Sequence, residues 1–159
     1  LNLADAKLHY EMWGAPDAPR LLILSPTGTA IRDVKNQVMV APPGAAALAA
    51  SFRCLGVDPR GFGGSSKPHS GWPVPALSVI AADVLTLLER LGWTSASVLG
   101  LSFGGAVATE LALRCGHTSF QIERMLLVCP AADPGIGPGF SFPTDELLGL
   151  THDERAEWY

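Results

Sequence analysis

Charge is sparse in this chain, and cysteine is sparser still. Only 16% of the 159 residues are Asp, Glu, Lys or Arg, the 11 basic residues are scattered, and the formal net charge is -4. Nucleic acid and anionic membrane surfaces are bound by clustered positive charge, so neither is expected as a partner. The three cysteines, Cys54, Cys115 and Cys129, lie in apolar or helical surroundings without CxxC or Cys/His ligand spacing. That pattern excludes a disulfide framework and a metal site, and reads as reduced core thiols in a cytoplasmic protein. No apolar run approaches the ~18 residues needed to span a bilayer. No signal peptide opens the chain, whose first residue, Leu1, reads as a processed or trimmed start.

Apolar and turn-forming residues, by contrast, are abundant. Apolar residues make up 48% of the chain and mean hydropathy is +0.26, which rules out disorder and supplies the core of one domain. Four short apolar runs, at 21–24, 54–57, 96–99 and 125–128, read as strands buried on both faces, the mark of a parallel sheet covered by helices. Between them, Leu77, Ile80, Ala81, Val84, Leu88 and Leu91 recur at helical spacing across 76–91, with Gly92 as the stop. An Ala/Leu-rich helix is expected from Phe103 to Cys115, and a shorter one over 44–51 after Pro42-Pro43. Residues 1–14 read as a β-hairpin with its turn at Asp5-Ala6. The alternation predicts an α/β fold, a doubly wound, mostly parallel sheet with an N-terminal antiparallel hairpin. From Ala131 the character changes to a Gly/Pro loop, then to a polar, helix-prone stretch from Thr144 to Tyr159.

The chemistry is concentrated in Gly100-Leu101-Ser102-Phe103-Gly104-Gly105, a GxSxG pattern between an apolar strand and an Ala-rich helix. On such a sharp turn a serine takes a strained backbone conformation that pushes its hydroxyl over the sheet edge. Glycines two residues either side are needed because a Cβ there would meet the neighbouring strand and helix. The bland alternative is that Ser102 only caps the helix. Gly61, Gly63 and Gly64 form neither GxGxxG nor GxxxxGK[ST], so no nucleotide loop and no cofactor is expected.

With this elbow, the chain resembles the N-terminal part of an α/β-hydrolase. His9-Tyr10-Glu11-Met12-Trp13-Gly14 is similar to the second strand of that family's antiparallel pair. Asp58-Pro59-Arg60-Gly61-Phe62-Gly63-Gly64-Ser65-Ser66 resembles its D-x-R-G-x-G-x-S loop, and Met125 to Ala131 its sixth strand. The resemblance spans residues 7–133 and implies an oxyanion hole of two backbone N–H groups. One maps onto Phe103. The other lies after the third strand of the family, where its usual His-Gly pair is replaced here by Ser25-Pro26. Proline has no N–H, so counting from the strand puts Thr27 in the donor position, with Gly28 as runner-up. A serine at this point also occurs in the family's enol-lactonase branch. Asp58 and Arg60 read as an ion pair or turn brace, and His9, His69 and His117 as solvated.

Serine needs a general base that is itself oriented by an acid. The resemblance implies the chain order Ser, acid, His, with a helical cap inserted after the sixth strand. Residues 1–133 are therefore expected to be the first part of the core, and residues 134–159 the start of the cap. Asp133 stands where some members carry the acid, but is the weaker choice, and His152 reads as solvated cap surface. The base and acid are expected from outside this sequence, in a missing part of the same protein, in a second polypeptide or in a further copy, the last two being the expected partners. The resemblance implies a serine hydrolase cleaving a carboxylic ester, lactone or thioester of a small molecule through an acyl-enzyme on Ser102. An acyltransferase with the same elbow, or a fragment that binds without turnover, are the alternatives.

Overall fold

Apolar side chains on alternate residues of a strand point to opposite faces, so a strand apolar throughout needs a layer of helices on each side. The structure, a computed structural model, describes residues 1–40, 44–67 and 76–128, with side chains for all of these except 36–40 and 44–47. In chain order they form β1 (Tyr10–Trp13), β2 (Arg20–Leu24), α1 (Ile31–Val40), α2 (Gly44–Ser51), β3 (Arg53–Val57), α3 (Leu77–Arg90), β4 (Ser95–Leu101), α4 (Phe103–Cys115) and β5 (Gln121–Val128). The strands lie in the order β1-β3-β2-β4-β5, with β1 antiparallel to β3 and the others parallel. Leu22, Leu24, Leu55 and Val57 pack with Ile80, Val84, Leu87 and Leu88 of α3 and Val107, Ala108 and Leu111 of α4. Leu21, Ile23 and Cys54 pack on the other face with Ile31 and Val34 of α1. The doubly wound sheet is therefore present, in mixed form.

From β2 the chain passes to β3 on one side, then crosses back to β4 and β5 on the other. The carboxyl ends of the neighbouring strands β2 and β4 thus flank the point where the winding reverses, which is where open α/β sheets bind their ligands. Ser25 follows the first strand and Ser102 the second.

Three features depart from the sequence reading. The N-terminal hairpin is rudimentary: its arms share one bridge, Asn2 with Lys7, and the bonds Leu3 N–H to Ala6 O (2.7 Å) and Leu8 N–H to Leu1 O (2.8 Å). The antiparallel partner of β1 is β3 instead, in the register Tyr10 to Val57 through Trp13 to Cys54. Helix α1 was not anticipated, and β4 and β5 begin earlier than their apolar runs, at Ser95 and Gln121. Strand β5 ends the described sheet and is exposed at Gln121, Glu123, Arg124, Met125, Leu126 and Val128, so polar residues are tolerated at its start. Leu113 of α4 is exposed as well. The expected boundary at 133/134, the cap residues 134–159, His69, Cys129, Asp133 and His152 lie outside the described residues.

Candidate active site

Strand β4 gives way to α4 at Ser102, whose backbone adopts φ 51 and ψ -116. Among the described residues it is the only non-glycine with positive φ, a conformation that costs about 1–3 kcal/mol and survives only where its surroundings over-determine it. They do so here. The Ser102 N–H donates to the Val128 carbonyl at 2.9 Å, and the Ser102 carbonyl accepts from the Gly105 N–H at 2.8 Å. The hydroxyl makes no capping hydrogen bond, so the serine is not spent as a helix cap.

The flanking glycines are required by contact. A Cβ on Gly100 would lie 2.8 Å from the Gly104 carbonyl oxygen and from Gly105 Cα, and one on Gly104 would drive into the Leu24 carbonyl. Gly104→Ala therefore sets a side chain against immovable main chain. It should cost at least ~3 kcal/mol, read as a lowered urea midpoint or loss of soluble protein. Parent-like stability would show that β2 and α4 are not in this contact.

Phe103 opens α4, so its N–H has no acceptor within the helix and faces the elbow with the positive end of the helix dipole. Its buried ring packs on Phe62, with centroids 5.8 Å apart. After β2, Pro26 to Thr29 form a turn closed by Thr29 N–H to Pro26 O at 3.4 Å. Gly28 holds φ 76 at its third position, as a type II turn requires. Thr27 is the half-buried second residue of that turn. Ser25, just before it, is buried, and its hydroxyl has no partner among the described residues. Because the Ser25 carbonyl also abuts Gly104, the segments carrying Thr27 and Phe103 meet at the first turn of α4.

The remaining candidates fall elsewhere. His9 stands 3.6 Å from Glu11, whose carboxyl is held below its usual range by the hydrogen bond from Lys35. His117 is exposed past the far end of α4. Asp58 and Arg60 are both braces, but not to each other. Asp58 accepts backbone amides, whereas Arg60 grips Asp83 through Nε at 2.6 Å and Nη2 at 2.8 Å, and Asp5 through Nη1 at 2.9 Å. Hydrogen bonds to Asp83 and then Asp5 push the Arg60 pKa up, and Arg60 in turn lowers that of Asp5. Burial pushes the Cys54 thiol up to about 11 and raises that of Cys115, so both are neutral thiols at physiological pH. Among the described residues no three His, Cys, Asp or Glu side chains converge as a metal site, and no helix is long and apolar enough to cross a membrane.

A strained serine at a strand-to-helix turn, with glycines touching its neighbours, coincides with a match to the α/β-hydrolase fold family model over residues 22–151. The chain belongs to this family. It is similar to the AB hydrolase superfamily protein YisY of Bacillus subtilis, with 33% identity over 112 residues, 67% of this chain and 40% of that protein. Its fold matches a hydrolase from Pseudomonas aeruginosa with a TM-score of 0.73 and 35% identity, over 94% of this chain and 52% of that one. It also matches the enol-lactonase of Burkholderia xenovorans, with a TM-score of 0.60 and 32% identity, over 77% and 43%. Two of these three relatives are hydrolytic by name, a hydrolase and an enol-lactonase, and this α/β-hydrolase chain spans about half the length of the three or less.

Proposed function

We propose that this chain carries the nucleophile and oxyanion hole of a serine hydrolase acting on a carboxylic ester, lactone or thioester. The observation that carries the reading is Ser102, strained at φ 51, with a hydroxyl that caps nothing. In the proposed reaction Ser102 Oγ attacks the acyl carbon as its proton passes to a general base. The carbonyl oxygen becomes an oxyanion held by the N–H groups of Phe103 and Thr27, with Gly28 the second choice for the latter. Collapse expels the alcohol or thiol, which takes the proton, and water then cleaves the acyl-enzyme, returning Ser102 and a carboxylic acid. Likeness to an enol-lactonase favours the lactone among these substrates.

Among the described residues His9 lies by Glu11 and His117 past the far end of α4, so in this reading neither is the base, which comes with its acid from polypeptide outside the described residues. The exposed Leu113, Met125, Leu126 and Val128 are the surface on which that partner would pack. Cys54, buried, and Cys115, half-buried, are free thiols, which suits the reducing cytoplasm we propose as the protein's location. A fluorophosphonate probe, applied to preparations that turn over p-nitrophenyl acetate and followed by peptide mass spectrometry, will place its adduct on Ser102. An adduct on another residue, or turnover without any adduct, would remove the basis of this reading.

A further inference from the structure

We propose that Asp58 is a positioning residue of the oxyanion site. Its carboxylate clamps the end of the loop that carries Thr27, while the loop it begins packs on Phe103. The proposal rests on the serine-hydrolase reading of Ser102.

Asp58 directly follows β3 and is 1% exposed. Both carboxylate oxygens are spent on main-chain amides from two different segments. Oδ1 accepts the Ile31 N–H at 2.6 Å and Oδ2 accepts the Gly64 N–H at 2.9 Å. Ile31 opens α1, so the carboxylate both satisfies an amide that has no partner in the helix and meets the positive end of its dipole. The carboxylate is itself tightly held, because a Cβ on Gly63 would collide with it. The main chain of Asp58 is fixed as well: its N–H donates to His9 O at 3.0 Å, and its carbonyl accepts from Ser65 Oγ at 2.6 Å. Ser65 Oγ in turn accepts the His9 N–H at 2.8 Å.

The loop from Ser25 to Ala30 is anchored at its start by the pairing of Leu24 with Gly100, and at its end by the Ile31–Asp58 bond. Between those anchors the Thr29-to-Pro26 bond is long at 3.4 Å, and the Ala30 carbonyl is tied to α1 by the Asp33 and Val34 N–H groups at 2.9 and 3.1 Å. The far end of the Thr27 loop therefore moves with the start of α1, which the Asp58 carboxylate holds at Ile31. The other donor is referenced to the same place, through the packing of Phe62 against Phe103. Oxyanion donors act only when held within a few tenths of an ångström of the developing charge, so a shared reference of this kind bears on rate as well as on stability.

Asp58→Asn keeps the size of the side chain but replaces one acceptor oxygen with an NH2 that cannot receive an amide. Hydrogen–deuterium exchange on the whole chain should show residues 27–31 exchanging at least ~10-fold faster, with β4 and the second half of α4 unchanged. Phosphonylation of Ser102 by the fluorophosphonate should slow by about 10–100-fold, and ester turnover should lose kcat while KM holds. Unchanged exchange at 27–31, a uniform rise that includes α4, or full-rate phosphonylation with a loosened loop would each overturn the proposal. Should the Asn variant not fold, Ser65→Ala removes the bond to the Asp58 main-chain carbonyl and so loosens the seat of the clamp more gently, and the same pattern at roughly 3-fold is expected. A parent protein that is never phosphonylated defeats the Ser102 reading instead, and takes the positioning role of Asp58 in the oxyanion site with it. The clamp itself is then judged on exchange alone.

Discussion

Ser102→Gly is expected to stabilise the chain and to abolish its ester chemistry in one step. The native φ of 51 penalises any residue with a Cβ, whereas glycine adopts it freely. Relief of about 1–3 kcal/mol of strain, less the ~0.5–1 kcal/mol that glycine's extra chain entropy costs, leaves a net gain on the order of 1 kcal/mol. For a chain of this size that corresponds to a melting temperature higher by roughly 2–4 °C. Without Oγ no acyl-enzyme can form, and turnover should fall by about 10^4-fold or more. Ser102→Ala separates the two effects, since it removes the nucleophile but keeps the strained Cβ. It should match glycine in lost turnover and fall short of it in melting temperature. Equal stability of the two variants would mean the backbone at this position is not strained, and turnover surviving in both would mean the nucleophile lies elsewhere.

Arg60→Met is expected to cost about 3–5 kcal/mol, because it strands a carboxylate that has few other contacts with water. The Arg60 and Asp83 side chains are 11% and 10% exposed and are joined by two hydrogen bonds, whereas Asp5, the second partner, is 69% exposed. Asp5→Ala should therefore move the urea midpoint far less than Arg60→Met does, in line with other exposed ion pairs. Removing both buried charges in Arg60→Met/Asp83→Leu should recover most of the loss, since the penalty lies in the unpaired carboxylate. Urea midpoints of the four proteins test the set. An Arg60→Met variant within ~1 kcal/mol of the parent would show that Asp83 is reached by water once its partner is gone.

The elbow was legible because its chemistry constrains sequence at every position. A positive-φ serine between glycines that must touch Leu24 and Gly105 leaves few alternatives. Strands β2 and β3 were legible because, after the half-buried Arg20 and Arg53 that begin them, both faces are buried and every residue had to be apolar or small. Helix α1 escaped notice because Ala30 offers no side-chain cap and no alanine-rich run marks it. The signal available was Ile31, Val34 and Val38 at helical spacing, with Asp33 in the first turn. The start of β5 was hidden for the opposite reason: Gln121, Glu123 and Arg124 are exposed, so burial never selected apolar residues there. Asp58 and Arg60 looked like partners because they are two residues apart. Spacing within a loop does not say where side chains point, and Asp83, the true partner of Arg60, arrives from a helix 23 residues further on.

The Ser102 amide is tied to the carbonyl of Val128, on the strand at the margin of the described sheet. The strain at Ser102 is thus held from outside the elbow: a change in β5 that moves the Val128 carbonyl would release the serine's amide without touching the serine itself.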